Sequence, residues 1–267
     1  MQDYIKTDQQ MHWLSQLIAK VNRTYVPKRE DDGHTNLFFD NIANRIPGRW
    51  IETGKDQVIF GLNIQYQRFE FIDKSSKVLH NISVFNKSME ELEYETADFL
   101  KSLKLNTRQF YEPLHFEIPD YGIKKLNPDN VSSKGINDWM FYRTIANQSA
   151  QSFLGHLQTD GEIRIWPHHF DTGVYAMITR GLGIGYGLAM KDDMVGEPYF
   201  YLAGYKSKHS IQYENMNQLA FGKWITGPNW YGAILPFSAV FGFSETVFRD
   251  VIETFIYESV KWYLRAL

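Results

Sequence analysis

Trp166-Pro167-His168-His169-Phe170-Asp171 places two imidazoles and a carboxylate within four consecutive positions. If this segment continues as an extended strand to Tyr175, its side chains alternate in direction. Trp166, His168 and Phe170 then point one way, and His169, Asp171, Gly173 and Tyr175 the other. His169 and Asp171 would stand about 7 Å apart at Cα on one face. That geometry suits an acid–base pair in which Asp171 orients His169 and His168 assists. The catalytic candidates are therefore His169, Asp171 and His168. The same two residues could supply part of a metal site. Such sites take three or four protein ligands, and only two lie here; His209, Glu197 and Asp192 are candidates to complete one by proximity in sequence alone. A divalent metal on His169 and Asp171 is accordingly the less favoured reading. Pro167 lacks an N–H, so this part of the strand must be an edge, a bend or a bulge, and a bulge would bring both imidazoles together. The competing explanation is structural: a buried His bonded to a buried Asp satisfies two polar groups without any chemistry.

Two weaker signals follow. Gly181, Gly183, Gly185 and Gly187 occupy every second position. This is no dinucleotide fingerprint, because strands rather than a helix flank it. On a strand the glycines clear one face for a ligand or, more simply, for a closely packed helix. Trp224-Ile225-Thr226-Gly227-Pro228-Asn229-Trp230-Tyr231 reads as an aromatic lid or a hydrophobic plug. Trp166, Tyr175, Trp224 and Trp230 are the ligand-binding candidates. The chain has no cysteine, which removes thiolate nucleophiles, disulfides and zinc–cysteine sites. No G-x-S-x-G elbow, phosphate loop or H-E-x-x-H is present.

The elements that would hold these residues can be read from periodicity. Met11, Leu14, Leu17, Ile18, Val21 and Tyr25 mark a helix over 9–25. Val58 to Gln65, 68–73 and Val78 to Phe85 alternate as strands, the last two joined by the turn Lys74-Ser75-Ser76-Lys77. Ser88 and Glu91 form a capping box opening a helix. Residues 106–135 form a connector with a short strand near Leu114-His115-Phe116. A helix capped by Asn137 or Asp138 runs to about Leu157. Strands recur at 162–166, 171–179, 182–190, 198–204 and 230–237, before a last helix capped by Ser244.

Both halves show helix, strands, helix. Gly61-Leu62-Asn63-Ile64 echoes Gly187-Leu188-Ala189-Met190, and Phe85-Asn86-Lys87-Ser88 echoes Phe241-Gly242-Phe243-Ser244. The expectation is one α+β domain over 1–267, built as two similar helix–antiparallel strands–helix units at 8–105 and 136–267. Together these would form one wide antiparallel sheet with helices packed on one face.

At 43% hydrophobic and 22% charged residues, the chain can bury a core. Its 19 Phe, 16 Tyr and 7 Trp will dominate that core. A net charge of −3 argues against nucleic acid as a partner. No membrane span and no leader are visible, which predicts a soluble cytoplasmic protein. The oligomeric state is not legible.

The early helix around His12-Trp13-Leu14, the Phe69-Glu70-Phe71-Ile72-Asp73 strand and the Ser88 helix resemble parts of an uncharacterised bacterial domain family of unknown function. The W-P-H-H-F-D-type strand, Glu197-Pro198-Tyr199-Phe200-Tyr201 and Leu235-Pro236-Phe237 extend the resemblance over most of the chain. It implies a single-chain α+β unit and carries no catalytic residues with it. The functional expectation is a small-molecule-binding protein, with the ligand at the 166–175 strand and an enzyme's His/Asp pair as one form of it. The alternative is a non-catalytic binding or protein-interaction module in which that pair is structural.

Overall fold

The computed structural model describes residues 1–54, 56–179, 181–206, 211–228 and 230–265. Two compact units emerge from it. One comprises Gln2–Phe141 with Ile165–Phe170, and the other Met1, Tyr142–Arg164 and Asp171–Leu267.

The first unit begins with α1 (Gln2–Tyr25), whose Met11, Leu14, Leu17, Ile18 and Val21 are wholly buried. Their three- and four-residue spacing puts them on one stripe. A four-stranded antiparallel meander follows: β1 (Arg45–Glu52), β2 (Gln57–Asn63), β3 (Arg68–Asp73) and β4 (Val78–Ser83), paired in that order. Phe60, Phe69 and Phe71 form its aromatic centre, with Phe60 and Phe71 ring centroids 4.5 Å apart. Phe99 of α2 (Met89–Ser102) packs on Phe71 at 4.6 Å. Ser88 caps α2, with the reciprocal Glu91 bond present. Glu70 of β3 is fully buried, yet it bonds Arg45 Nε at 2.7 Å and Arg68 Nη2 at 2.7 Å. Two guanidinium partners compensate its burial. The connector after α2 holds two single-turn helices, at Gln109–Tyr111 and Pro128–Asn130, and Leu114-His115-Phe116 is not a strand.

α3 (Ser133–Leu157) starts earlier than its expected cap and supplies residues 133–141 to the first unit and 142–157 to the second. The second sheet has six antiparallel strands: β5 (Arg164–Ile165), whose Ile165 belongs to the first unit, and, in the second unit, β6 (Thr172–Thr179), β7 (Leu182–Ala189), β8 (Tyr199–Lys206), β9 (Lys223–Thr226) and β10 (Tyr231–Pro236). The spatial order is β5-β6-β7-β8-β10-β9. One face carries Ile184, Tyr186, Leu188, Phe200 and Leu202, all fully buried. Tyr186 stacks on Phe153 of α3 and its phenol bonds Ser149 at 2.8 Å. Phe200 meets Phe248 of α4 (Glu245–Arg265) edge-on at 5.9 Å.

The fold is α+β, with helices packed against antiparallel sheets, but the single wide sheet of two like units is not formed. There are two sheets, of four and six strands, and their strand orders differ. A register shift beside β4 and another at Pro47–Trp50 in β1 interrupt the first sheet's two outer ladders, and the outer side of β1 bonds residues 38–40 rather than a further strand.

Candidate functional site

The segment expected to be extended through the two histidines is a tight turn. The Phe170 N–H donates to Trp166 O at 2.6 Å and the His169 N–H to the same oxygen at 3.3 Å. Phe170 has φ +54°, a left-handed conformation that bulky residues rarely adopt. Packing holds it there: its ring stacks on His12 at 5.0 Å and on Trp139 at 6.2 Å. Strand β6 begins only at Thr172, so the alternation that placed His169 beside Asp171 does not operate. His169 is exposed and belongs to the first unit, whereas Asp171 is buried and belongs to the second. The turn does bring the imidazoles of His168 and His169 together, with centroids 4.4 Å apart. Trp166 meets His168 edge-on at 6.1 Å, and Phe116 lies 5.6 Å from it.

What anchors this turn is a cluster that sequence reasoning passed over. His12 of α1 is almost fully buried. Its Nε2 lies 2.9 Å from Pro167 O, and its Nδ1 2.7 Å from the Tyr121 hydroxyl. A carbonyl only accepts, so Nε2 carries the proton and Nδ1 accepts from the Tyr121 O–H. Gln16 donates to Pro167 O as well, at 2.9 Å. One turn earlier on α1, Asp8 accepts from Trp139 Nε1 at 2.7 Å. Burial, and then the charge of Asp8, push the Tyr121 phenol well above its ordinary range. Asp8 and His12 stand four residues apart on a second buried face of α1, turned away from the Met11–Val21 stripe. A polar pair at helical spacing on a helix buried on both sides was the signal available.

In the second unit, Asp171 accepts from the Tyr201 hydroxyl at 2.5 Å. The alternate glycines of β7 explain how Tyr201 reaches it. A Cβ on Gly187 would lie 2.9 Å from the Tyr201 ring and 2.5 Å from Thr172 O. One on Gly173 would lie 2.8 Å from the Tyr201 hydroxyl. Tyr201 therefore crosses two side-chain-free positions, one on β7 and one on β6, to meet the carboxylate. Tyr175 occupies the space over Gly183 in the same way, and Tyr205 lies beside Gly185. The glycine row seats tyrosine rings rather than a helix. Burial, then the Asp171 charge, raise the Tyr201 and Tyr205 phenols. They remain neutral donors at ordinary pH.

Beyond Tyr205 the sheet opens into a cleft of about 740 Å³. Its rings are Tyr205, Tyr213, Trp230 and Tyr231, and its polar groups include Lys206, Gln212, Glu214 and Thr226. Trp230 lies over Gly232, where a Cβ would come within 2.5 Å of the indole. Tyr175 is 47% exposed, with its ring centroid 5.8 Å from that of Tyr205, beside this floor. Trp224 does not line the cleft. It packs on Trp262 of α4 at 4.8 Å and donates to Asn217 O. The cleft's tyrosines come from β8 (Tyr205), β10 (Tyr231) and the segment before β9 (Tyr213), and only the run Tyr199-Phe200-Tyr201 with Tyr205 facing the glycine row hinted at them.

Among the described residues, no group of three or more His, Asp or Glu is placed to share a metal ion. Of the three residues considered as completing ligands, Asp192 accepts from Tyr199 at 2.6 Å and Glu197 accepts from the Ser238 N–H and hydroxyl. His209 lies outside the described residues. No described helix is long and apolar enough to cross a membrane.

Fold and site together define an α+β protein with a tyrosine-paved sheet bordering an aromatic cleft. Compared with known proteins, the chain matches no family model, no curated protein and no solved structure.

Proposed function

We propose that this chain binds a small organic molecule in the cleft lined by Tyr205, Tyr213, Trp230 and Tyr231. The observation that carries the reading is the cleft itself. Its volume of about 740 Å³ lies within the range of small-molecule sites. Its lining also has their composition: several aromatic rings and a few polar groups able to orient a ligand. Trp230 and the neighbouring Tyr175 were singled out from the sequence, and they border this region rather than the His168–His169 turn. No bond-making step is assigned to the cleft.

A thermal-shift screen over metabolites tests the reading, because a compound that binds only the native state raises the midpoint. The expected result is at least one compound that stabilises the native chain and loses that effect in Trp230→Ala. Compounds that stabilise both proteins equally, or none that stabilises either, would overturn it.

A second reading is favoured by the Tyr201–Asp171 bond. In it Asp171 is structural, seating Tyr201 on the sheet, and the chain is a non-catalytic binding module. Tyr201→Phe tests it: a stability loss with binding in the cleft intact is the expected result, and a loss of binding with stability intact would overturn it.

A further inference from the structure

The chemical class of the cleft's occupant can be argued from three features. The first is how the rings are held. Tyr175 and Trp230 each lie over a glycine, and Tyr205 lies against another. A ring seated over a glycine meets main chain rather than a side chain on the sheet side. Tyr205 and Tyr231 are about half exposed. The cleft therefore offers exposed aromatic surface with neutral phenol tips.

The second feature is a neighbouring groove of about 670 Å³. Lys206, Gln212 and Glu214 border both hollows. The groove adds the amides of Asn215, Asn217 and Gln218 and the rings of Tyr257 and Trp262. A ligand several rings long can run from one hollow into the other past these three shared side chains. Amides and carboxylates can each hold two adjacent hydroxyls, one group bridging both.

The third feature is charge. The described lining carries Lys206, Lys261 and Arg265 against Glu214 and Glu258. Opposite signs are interleaved, so no field of one sign is present to hold a phosphate or an organic cation.

We infer that the occupant is a neutral oligosaccharide, with its C–H faces stacked on the exposed rings and its hydroxyls bonded to the amides and carboxylates of the shared groove. The inference rests on the cleft reading above and adds the ligand class to it.

Isothermal titration of the full chain with maltohexaose, cellohexaose and chitohexaose tests it, with adenosine and tetramethylammonium as separate arms. Expected is saturable binding of at least one hexasaccharide, tighter than its own disaccharide and unaffected by added salt. Tyr205→Ala and Trp230→Ala should each weaken it about tenfold, the loss expected for one stacking contact. Tyr205→Phe, which keeps the ring, should bind like the native chain and so guards against a folding artefact. If adenosine or tetramethylammonium binds through Tyr205 and Trp230 and no saccharide does, the ligand class is wrong and the cleft reading stands. If saccharides bind equally well to both alanine variants, or if no probe binds at all, both are wrong.

Discussion

The glycine row of β7 yields an ordered series of stabilities. Gly187, Gly185 and Gly183 share one strand and one face, yet an added methyl meets three different environments. At Gly187 it would lie 2.5 Å from Thr172 O, which is backbone, and 2.8–2.9 Å from Tyr201. Neither can retreat freely, because Tyr201 is tied to Asp171. Overpacking costs about 1–3 kcal/mol, and displacing a phenol from a buried carboxylate adds about 1.5–3 kcal/mol. Gly187→Ala should therefore lose about 3–5 kcal/mol. At Gly185 the nearest atoms are the Tyr205 ring edge at 3.3 Å and Ala203 O at 3.9 Å. Tyr205 is half exposed and can yield, while alanine suits a strand better than glycine by about 0.5–1 kcal/mol. Gly185→Ala should be neutral or slightly stabilising. Gly183→Ala falls between. Its methyl would collide with the Tyr175 hydroxyl end at 1.9 Å, but Tyr175 is exposed and can swing off the sheet. The cost is one ring contact, about 0.5–1 kcal/mol.

Urea unfolding of the three variants, followed by circular dichroism, measures the series. A cycle with Tyr201→Ala isolates the cause. In that background Gly187→Ala should cost about 1.5–3 kcal/mol less, leaving only the clash with the Thr172 carbonyl. Equal losses for Gly187→Ala and Gly185→Ala, or a cycle with no coupling, would refute the idea that the row exists to seat rings.

Other expectations concern buried charge, alkaline pH and the turn. Glu70→Ala should cost about 3 kcal/mol, the low end for breaking a buried ion pair, because Arg45 and Arg68 can still reach water; a urea midpoint within error of the native one would contradict this. Burial raises the phenols of Tyr186 and Tyr263, which are at most 1% exposed, far above the ordinary value near 10. Below that pH both states hold these protons. Above it the unfolded chain releases them and the native one does not, so stability falls as pH rises, by about 1.4 kcal/mol per pH unit for each such phenol. Near-ultraviolet phenolate absorbance should show these groups ionising only together with unfolding, and early ionisation in the folded protein would count against it. Tyr25, pushed up to about 12 mainly by burial, should titrate earlier than those two. His12→Phe preserves ring stacking on Phe170 but removes two hydrogen bonds, which should cost about 2 kcal/mol and speed proteolytic cutting at 166–170; unchanged cutting would mean that His12 does not anchor the turn.

Local signals in the sequence located the elements well and their assembly poorly. The stripe of α1, the alternation of β3, the Ser88–Glu91 box and the Ser244 start are each decided within a few residues, and all appear where periodicity puts them. Register shifts at Pro47–Trp50 in β1 and beside β4 leave no mark on hydrophobic alternation. Repeated element order alone suggested one wide sheet where there are two. Helix α3 shows a related effect: Asn137 and Asp138 look like caps, yet the helix already runs from Ser133.

The histidine segment went astray through one residue. Extending the strand through 166–171 assumes that Phe170 has an extended backbone, and nothing local forbids it. The left-handed turn is held instead by distant partners, His12 and Gln16 on the Pro167 carbonyl and a ring stack on Phe170. Those partners lie about 150 residues away in the chain, as the separations 155 and 151 record, beyond the reach of any window-based reading. The glycine row is the opposite case, because its meaning was recoverable. Tyr175, Tyr201 and Tyr205 lie on the strands either side of Gly183, Gly185 and Gly187, and in antiparallel pairs a ring reaches both the opposite position and the diagonal one. A helix packed on that face would require apolar partners at the alternate positions of β6 and β8. Those positions hold Tyr175, Met177, Tyr201 and Tyr205, three of them about half exposed. Alternate glycines flanked by strands bearing exposed tyrosines are therefore seats for rings.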